Sequence, residues 1–161
     1  MNTIERPIYF DRLKKLKGTP EIKIITGIRR SGKSVLLESL KDFYSKDKKN
    51  NIIYVDFRKL EYEAYNEYHA LYKYVESKYD AKKSNLLFID EVQECKGFEK
   101  AVNSLHSSGK YDIYLTGSNA FLLSSDLATY FTGRYLEIEV FPFSLKEFGS
   151  YFKDEKDIDS L

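Results

Sequence analysis

Short apolar stretches alternate with segments of helical periodicity five times along the chain. Glu21 to Thr26 (EIKIIT) is rich in β-branched residues and stops at Gly27, which predicts a short buried strand. From Lys33 to Tyr44, the apolar Val35, Leu36, Leu40 and Phe43 recur at helical spacing. Glu38, Lys41 and Asp42 take the other face, so a helix is expected there. The polar run from Lys46 to Asn51 ends that helix, and Ile52 to Asp56 reads as the second strand. Tyr65, Tyr68, Leu71, Tyr72, Val75 and Tyr79 then mark one face of a helix across residues 61–79. Asn85 to Asp90 is a third strand, Phe98 to Leu105 a helix, Tyr111 to Thr116 a fourth strand, and residues 120–131 one or two short helical turns. Tyr135 to Val140 alternates apolar and acidic residues, which predicts a fifth strand with one face toward water. Pro142 stops it, and Ser144 with Glu147 forms a capping-box pattern opening a last helix. Strands alternating with helices in this way predict an α/β three-layer sandwich around a mainly parallel five-stranded sheet.

The tyrosine-rich segment admits two readings, a base-stacking surface or rings packed on the sheet. Glu61, Glu63, Glu67 and Glu76 flank the rings and would repel phosphates, so packing is expected. Composition narrows the class further. With 161 residues the chain is expected to be a single domain, residues 1–161. Hydrophobic residues at 42% and charged residues at 32% exclude a disordered chain, and no apolar run approaches the roughly 18 residues of a membrane span. The single cysteine, Cys95, cannot form an intrachain disulfide, and the first residues lack an apolar leader, so a cytoplasmic protein is expected. The net charge of +1 advertises neither a nucleic-acid nor a membrane partner. It conceals an asymmetry: residues 1–80 carry 17 basic and 12 acidic side chains (+5), residues 81–161 carry 9 and 13 (−4).

That asymmetry suits a phosphate site followed by a metal site, and two motifs supply them. Gly27-Ile28-Arg29-Arg30-Ser31-Gly32-Lys33-Ser34 matches G-x-x-x-x-G-K-[ST] at every fixed position, between a strand and a helix. Glycines let the loop curl so that its backbone N–H groups, continuing to Val35, face a β-phosphate at the positive end of the helix. In such a loop Lys33 reaches the β- and γ-phosphates, and the Ser34 hydroxyl is placed to ligate Mg²⁺. Arg29 and Arg30 either add charge beside the phosphates or are solvated, with solvation expected for at least one. The second motif is Leu86-Leu87-Phe88-Ile89-Asp90-Glu91. An aspartate ending a buried strand beside a phosphate loop holds Mg²⁺, and a glutamate next to it can polarise the attacking water. An acidic helix start is the structural alternative.

Together the two motifs resemble the AAA+ superfamily of P-loop ATPases. GIRRSGKS, NLLFIDEVQE, YLTGSNAFLLSS and LATYFTGRYLEIEVFPFSLKEF are similar, in the same order from about Arg6 to Phe148, to the N-terminal AAA domain of a bacterial and archaeal ATPase family. The resemblance implies a sheet in the order 5-1-4-3-2, with ATP and Mg²⁺ as cofactors. Walker A would run from Gly27 to Ser34, with Walker B at Asp90 and Glu91. It places sensor 1 at Ser118 or Asn119, with Asn119 preferred, on the γ-phosphate or the attacking water. It also makes Arg134 an arginine finger completing the site of a neighbouring copy, hence a homo-oligomer; a salt bridge to a nearby acid is the other reading of that residue. Family members usually continue into a helical lid and a C-terminal domain. The chain is therefore expected to be a piece of a longer protein, with weak catalysis on its own.

The other chemistry-bearing residues add little. His69 and His106 stand alone, and Cys95 makes no zinc set. Gln93 and Glu94 either support the site or lie in a solvated loop, the latter expected. The clusters Lys14-Lys15-Lys17 and Lys46-Lys48-Lys49 are expected to be solvated; nucleic-acid contact stays open. Three functions compete: an ATPase coupling hydrolysis to conformational change, a nucleotide-dependent switch or assembly module with little hydrolysis, and a small-molecule kinase. No arginine-rich lid follows the fourth strand, which weighs against the kinase.

Overall fold

A computed structural model of the protein describes residues 6–118 and 124–143. Five parallel strands form its centre: β1 (Ile22–Gly27), β2 (Asn50–Asp56), β3 (Ser84–Asp90), β4 (Tyr111–Ser118) and β5 (Tyr135–Glu139). Their order is β2-β3-β4-β1-β5, the expected sequence read from the other edge. Parallel neighbours need crossovers, and helices supply them: α2 (Lys33–Ser45), α3 (Tyr68–Ser77), α4 (Phe98–Ser107) and α5 (Ser124–Phe131). An additional helix, α1 (Pro7–Lys15), precedes β1; Pro7 at its first position loses no hydrogen bond there.

Residue alternation along the strands divides the core into two layers. Leu87 and Ile89 face α3, α4 and α5, packing with Leu71, Val75, Val102, Leu105 and Phe131. Leu86 and Phe88 face the opposite way, toward Leu13 of α1 and Leu36, Leu37, Leu40 and Tyr44 of α2. Burying a side chain of this size stabilises by roughly 1.5–3 kcal/mol, so both layers are required to hold a twisted sheet. Periodicity misjudged the face of α2. Val35 and Phe43 are about half exposed, and Leu37 and Tyr44 are buried instead. Leu36 and Leu40 are buried as expected.

The helix expected over residues 61–79 is broken in two. A 3₁₀ turn covers Leu60–Tyr65, and α3 begins only at Tyr68. Between them Asn66 and Glu67 are drawn off to pair with the segment after β3: Lys96 N–H donates to the Asn66 carbonyl (2.8 Å) and Tyr68 N–H to the Lys96 carbonyl (3.0 Å). Glu67 is extended and caps α3 through His69 N–H. Long-range pairing thus overrides a periodicity that runs straight through the break. The tyrosines do pack: Tyr62, Tyr68 and Tyr74 lie against the core, and the Tyr65 and Tyr74 rings are 4.3 Å apart.

At the N-terminal end of the strands, a lysine inside a buried strand finds a complete set of partners. Lys23 is fully buried, and its Nζ donates to Asp112 Oδ1 (2.6 Å) and the Thr19 carbonyl (2.7 Å). Asp112 Oδ2 accepts from Tyr114 Oη (3.0 Å) and Gly18 N–H (2.9 Å). The capping-box helix expected from Ser144 lies outside the described residues, as do positions 120–123 of the helical turns.

Candidate phosphate-binding site

Every strand of a parallel sheet delivers its last residue to the same edge, and the candidate residues gather there. Gly27 ends β1 where the chain passes Val140; a Cβ on it would strike the Val140 carbonyl and the Ser31 hydroxyl. The loop then turns through Arg30 (φ 67°) and Gly32 (φ 91°), both left-handed, before Lys33 starts α2. Arg29 and Arg30 are both exposed. Ser31 is fully buried, and its hydroxyl has no hydrogen-bond partner, an orphaned polar group in the wall of the loop. Lys33 is buried and curls back over the loop, donating to the carbonyls of Gly27 (2.9 Å) and Ile28 (2.8 Å). Burial lowers its pKa, and the charges of Glu91 and Asp90 work in the opposite direction.

From the N-terminal side Arg6 clamps the loop. Its guanidinium donates to the carbonyls of Ser31 (2.8 Å) and Phe141 (2.6 Å) and lies over the rings of Tyr9 and Phe143. In the sequence Arg6 marks only the start of the resemblance. Its role depends on residues 25 and 135 positions away, which no local pattern reveals.

Asp90, at the end of β3, is fully buried. Its Oδ1 accepts from Ser34 Oγ (3.0 Å) and Thr116 Oγ1 (2.5 Å). Its Oδ2 has no hydrogen bond, though Arg58 Nη2 stands 3.2 Å away at ion-pair distance. Burial raises the Asp90 pKa; hydrogen bonds from Thr116 and Ser34 and the Arg58 charge oppose the rise. A hydroxyl and a buried carboxylate with one free oxygen make a hard oxygen donor set, and these residues fit Mg²⁺.

Thr116 also accepts from Glu91 N–H (2.9 Å), so one hydroxyl positions both acids. Glu91 sits in left-handed backbone (φ 55°). Gln93 Nε2 donates to Glu91 Oε2, which corrects the expectation of a solvated loop at Gln93; Glu94 is exposed as expected. Thr116 was read from sequence only as the end of a strand. An inward-facing threonine on the strand beside the acidic motif is the signal that could have marked it.

A second arrangement was not foreseen. Asp56 ends β2, and its Oδ1 accepts from Arg58 N–H and Arg58 Nε (both 3.0 Å), a tight turn that brings the guanidinium back onto the carboxylate. Arg58 Nη2 then reaches Asp56 Oδ2 (2.7 Å), Glu38 Oε1 (3.2 Å) and Asp90 Oδ2. Burial would raise the Asp56 pKa, but the Arg58 hydrogen bonds and charge outweigh it and leave the group below its ordinary value.

The remaining candidates divide clearly. Ser118 ends β4 in register with Gly27, beside the first residue of the loop, whereas Asn119 lies outside the described residues. Arg134 immediately precedes β5, and Tyr135 pairs with Ile22, so it stands at the opposite end of the sheet from its own phosphate loop. Cys95 is buried, and burial, then Glu67 and Glu99, push its thiol up to about 12, which leaves it inert. His69 and His106 share no site, and among the described residues no group of three metal-ligating side chains converges. No helix among them is long and apolar enough to cross a membrane.

Comparison with known proteins agrees with this geometry. The family of AAA domains matches residues 19–149. An uncharacterised protein of Haemophilus influenzae is 41% identical over 148 residues, which cover 90% of this chain and 37% of that protein. One from Methanocaldococcus jannaschii is 37% identical over 130 residues, covering 80% and 28%. The chain thus spans about a third of the length of the curated relatives it matches. Among solved structures, Cdc6p of Pyrobaculum aerophilum superposes with a TM-score of 0.68 at 15% identity, over 96% of this chain and 50% of that one. Hsp104 of S. cerevisiae, in its complex with casein, gives 0.62 at 17%, over 89% and 28%. At such identities the likeness is one of fold.

Proposed function

Because this chain belongs to the AAA domain family, we propose that it binds ATP with Mg²⁺ and hydrolyses it, coupling the reaction to conformational change in attached domains or partners. The observation that carries this reading is the shared hydrogen-bond set in which Thr116 orients both Asp90 and Glu91 beside Ser34. Ser34 and Asp90 are the residues that would hold the cation. A divalent cation bound there neutralises charge on the phosphate oxygens.

The chain's own groups divide the remaining work. Backbone N–H groups from Ile28 to Val35 line the curl that receives the phosphates, at the positive end of α2. Lys33 exchanges its two loop carbonyls for phosphate oxygens, so its positive charge is kept inside a buried site at the cost of two hydrogen bonds. Glu91 accepts the proton of the attacking water, with Gln93 holding one of its oxygens and Thr116 fixing its backbone. Ser118, or Asn119 beside it, orients the γ-phosphate or that water. Arg134 faces away from its own loop and acts on a neighbouring copy.

Turnover of Mg-ATP measured against protein concentration tests this. Lys33→Ala is expected to lose nucleotide binding and turnover together. Glu91→Gln is expected to keep binding and lose about 10²–10⁴ in rate. Second-order dependence on protein, absent in Arg134→Ala, is expected from an arginine finger, whose contribution is about 10³–10⁵. Binding without turnover in the wild type overturns the hydrolase and leaves the nucleotide-dependent switch.

A further inference from the structure

Among the described residues, Arg58 is the one cation at ion-pair distance from Asp90, the buried acid of the proposed metal site, and nothing in the Walker motifs assigns it a task. Its guanidinium is 44% exposed, yet it touches two fully buried carboxylates, Asp56 and Asp90, and the half-exposed Glu38. The grip on Asp56 is bidentate, through Nε and Nη2, and such forks have a fixed geometry. The single Tyr54 Oη proton lies within reach of Asp56 Oδ2 (3.2 Å) and Glu38 Oε1 (3.3 Å), closing the far side. On Asp90 the contact is different in kind: charge at 3.2 Å without a hydrogen bond, on an oxygen that nothing else satisfies.

We infer that Arg58 is a positioning residue that acts through Asp90, a resident cation held by Asp56 that competes with the metal ion for the Asp90 carboxylate. Three carboxylates (Asp56, Asp90, Glu38) against one guanidinium leave a charge of −2, so a divalent ion completes the cluster; the ion must still share Asp90 with Arg58. The anchor on Asp56 and Glu38 lets the guanidinium slacken from Asp90 without leaving its place. Metal loading is thereby made weaker than the Ser34–Asp90 pair alone would set. This inference rests on the reading of Ser34 and Asp90 as the metal-holding residues.

Mn²⁺ binding to the full chain, followed by electron paramagnetic resonance of the free ion at saturating non-hydrolysable ATP analogue, tests it. Arg58→Met keeps the length of the side chain and removes the charge; it should tighten Mn²⁺ about tenfold, the size of one close charge at a half-exposed site. Arg58→Lys, which cannot form the fork, should shift affinity in the same direction by less, and decides the matter should the methionine variant fail to fold. Unchanged or weaker Mn²⁺ binding in the variant overturns the competition and leaves the ATPase reading standing. Wild-type protein that binds the analogue but takes up no Mn²⁺ overturns both.

Discussion

The two ends of the sheet each hold a buried ion pair, and they are built on opposite plans. At the N-terminal end Lys23 and Asp112 are 0% and 14% exposed, both Asp112 oxygens accept hydrogen bonds, and the lysine donates two. At the C-terminal end Arg58 is half open to water, and one oxygen of Asp90 is left with charge contact alone. A closed network contributes to holding β1 against β4 and has no capacity for a ligand. The open one is under-satisfied where a cation would bind. Desolvation makes both costly to build, so each must be compensated, the first by protein groups and the second by what the site receives.

The contrast can be broken most decisively at the closed end. Removing one partner of a buried pair costs about 3–5 kcal/mol, so Lys23→Met should lie near the lower limit and Asp112→Ala near the upper, because the lysine is the more deeply buried charge. Urea unfolding measures both; equal and small losses would mean that the pair is not closed at all. At the open end Thr116→Val should leave the fold intact and lower ATP turnover about 10–100-fold, since it removes two hydrogen bonds involving the acids. Turnover at the wild-type level would detach Thr116 from the chemistry.

A smaller effect follows from the aspartates of the open end. Asp56 has its pKa lowered in the folded state, so its stabilisation is complete above the ordinary carboxylate range and is lost as pH falls through the depressed value. Asp90, raised by burial, acts the other way: the metal-free protein loses stability as pH rises through its folded pKa. Urea midpoints between neutral and acid pH should show Asp56→Asn with a flatter acid limb than the wild type and Asp90→Asn stabilised at neutral pH. The same slope in all three proteins would reject the assignment. Smallest of all, Leu60→Ser, two residues beyond Arg58 and 83% exposed, should change stability by no more than about 0.5 kcal/mol. A larger loss would show that the Arg58 segment is held by packing rather than by its carboxylates.

The fold was legible because strand and helix periods differ, and because the phosphate loop has a spacing that few other structures need. Five strands, their order and both acids of the site follow from those signals and the resemblance they support. What escaped is long-range. Asn66 and Glu67 break a helix to meet Lys96, and Arg6 reaches across the loop to the Phe141 carbonyl. Thr116 and Arg58 come together with Asp90 only when β2, β3 and β4 are laid side by side. Lys23, a charge inside a strand of β-branched residues, needs Asp112 from another strand to make sense. Periodicity describes one element at a time; these residues have meaning only in pairs.

Glu91 occupies a backbone conformation that favours glycine or asparagine, at a cost of roughly 1–2 kcal/mol for an ordinary side chain. Selection for a sturdier fold would therefore replace this glutamate, and selection for turnover would keep it. On the proposed reading of Glu91 as the base, Glu91→Gly or Glu91→Asn would end turnover and at the same time relieve that backbone cost.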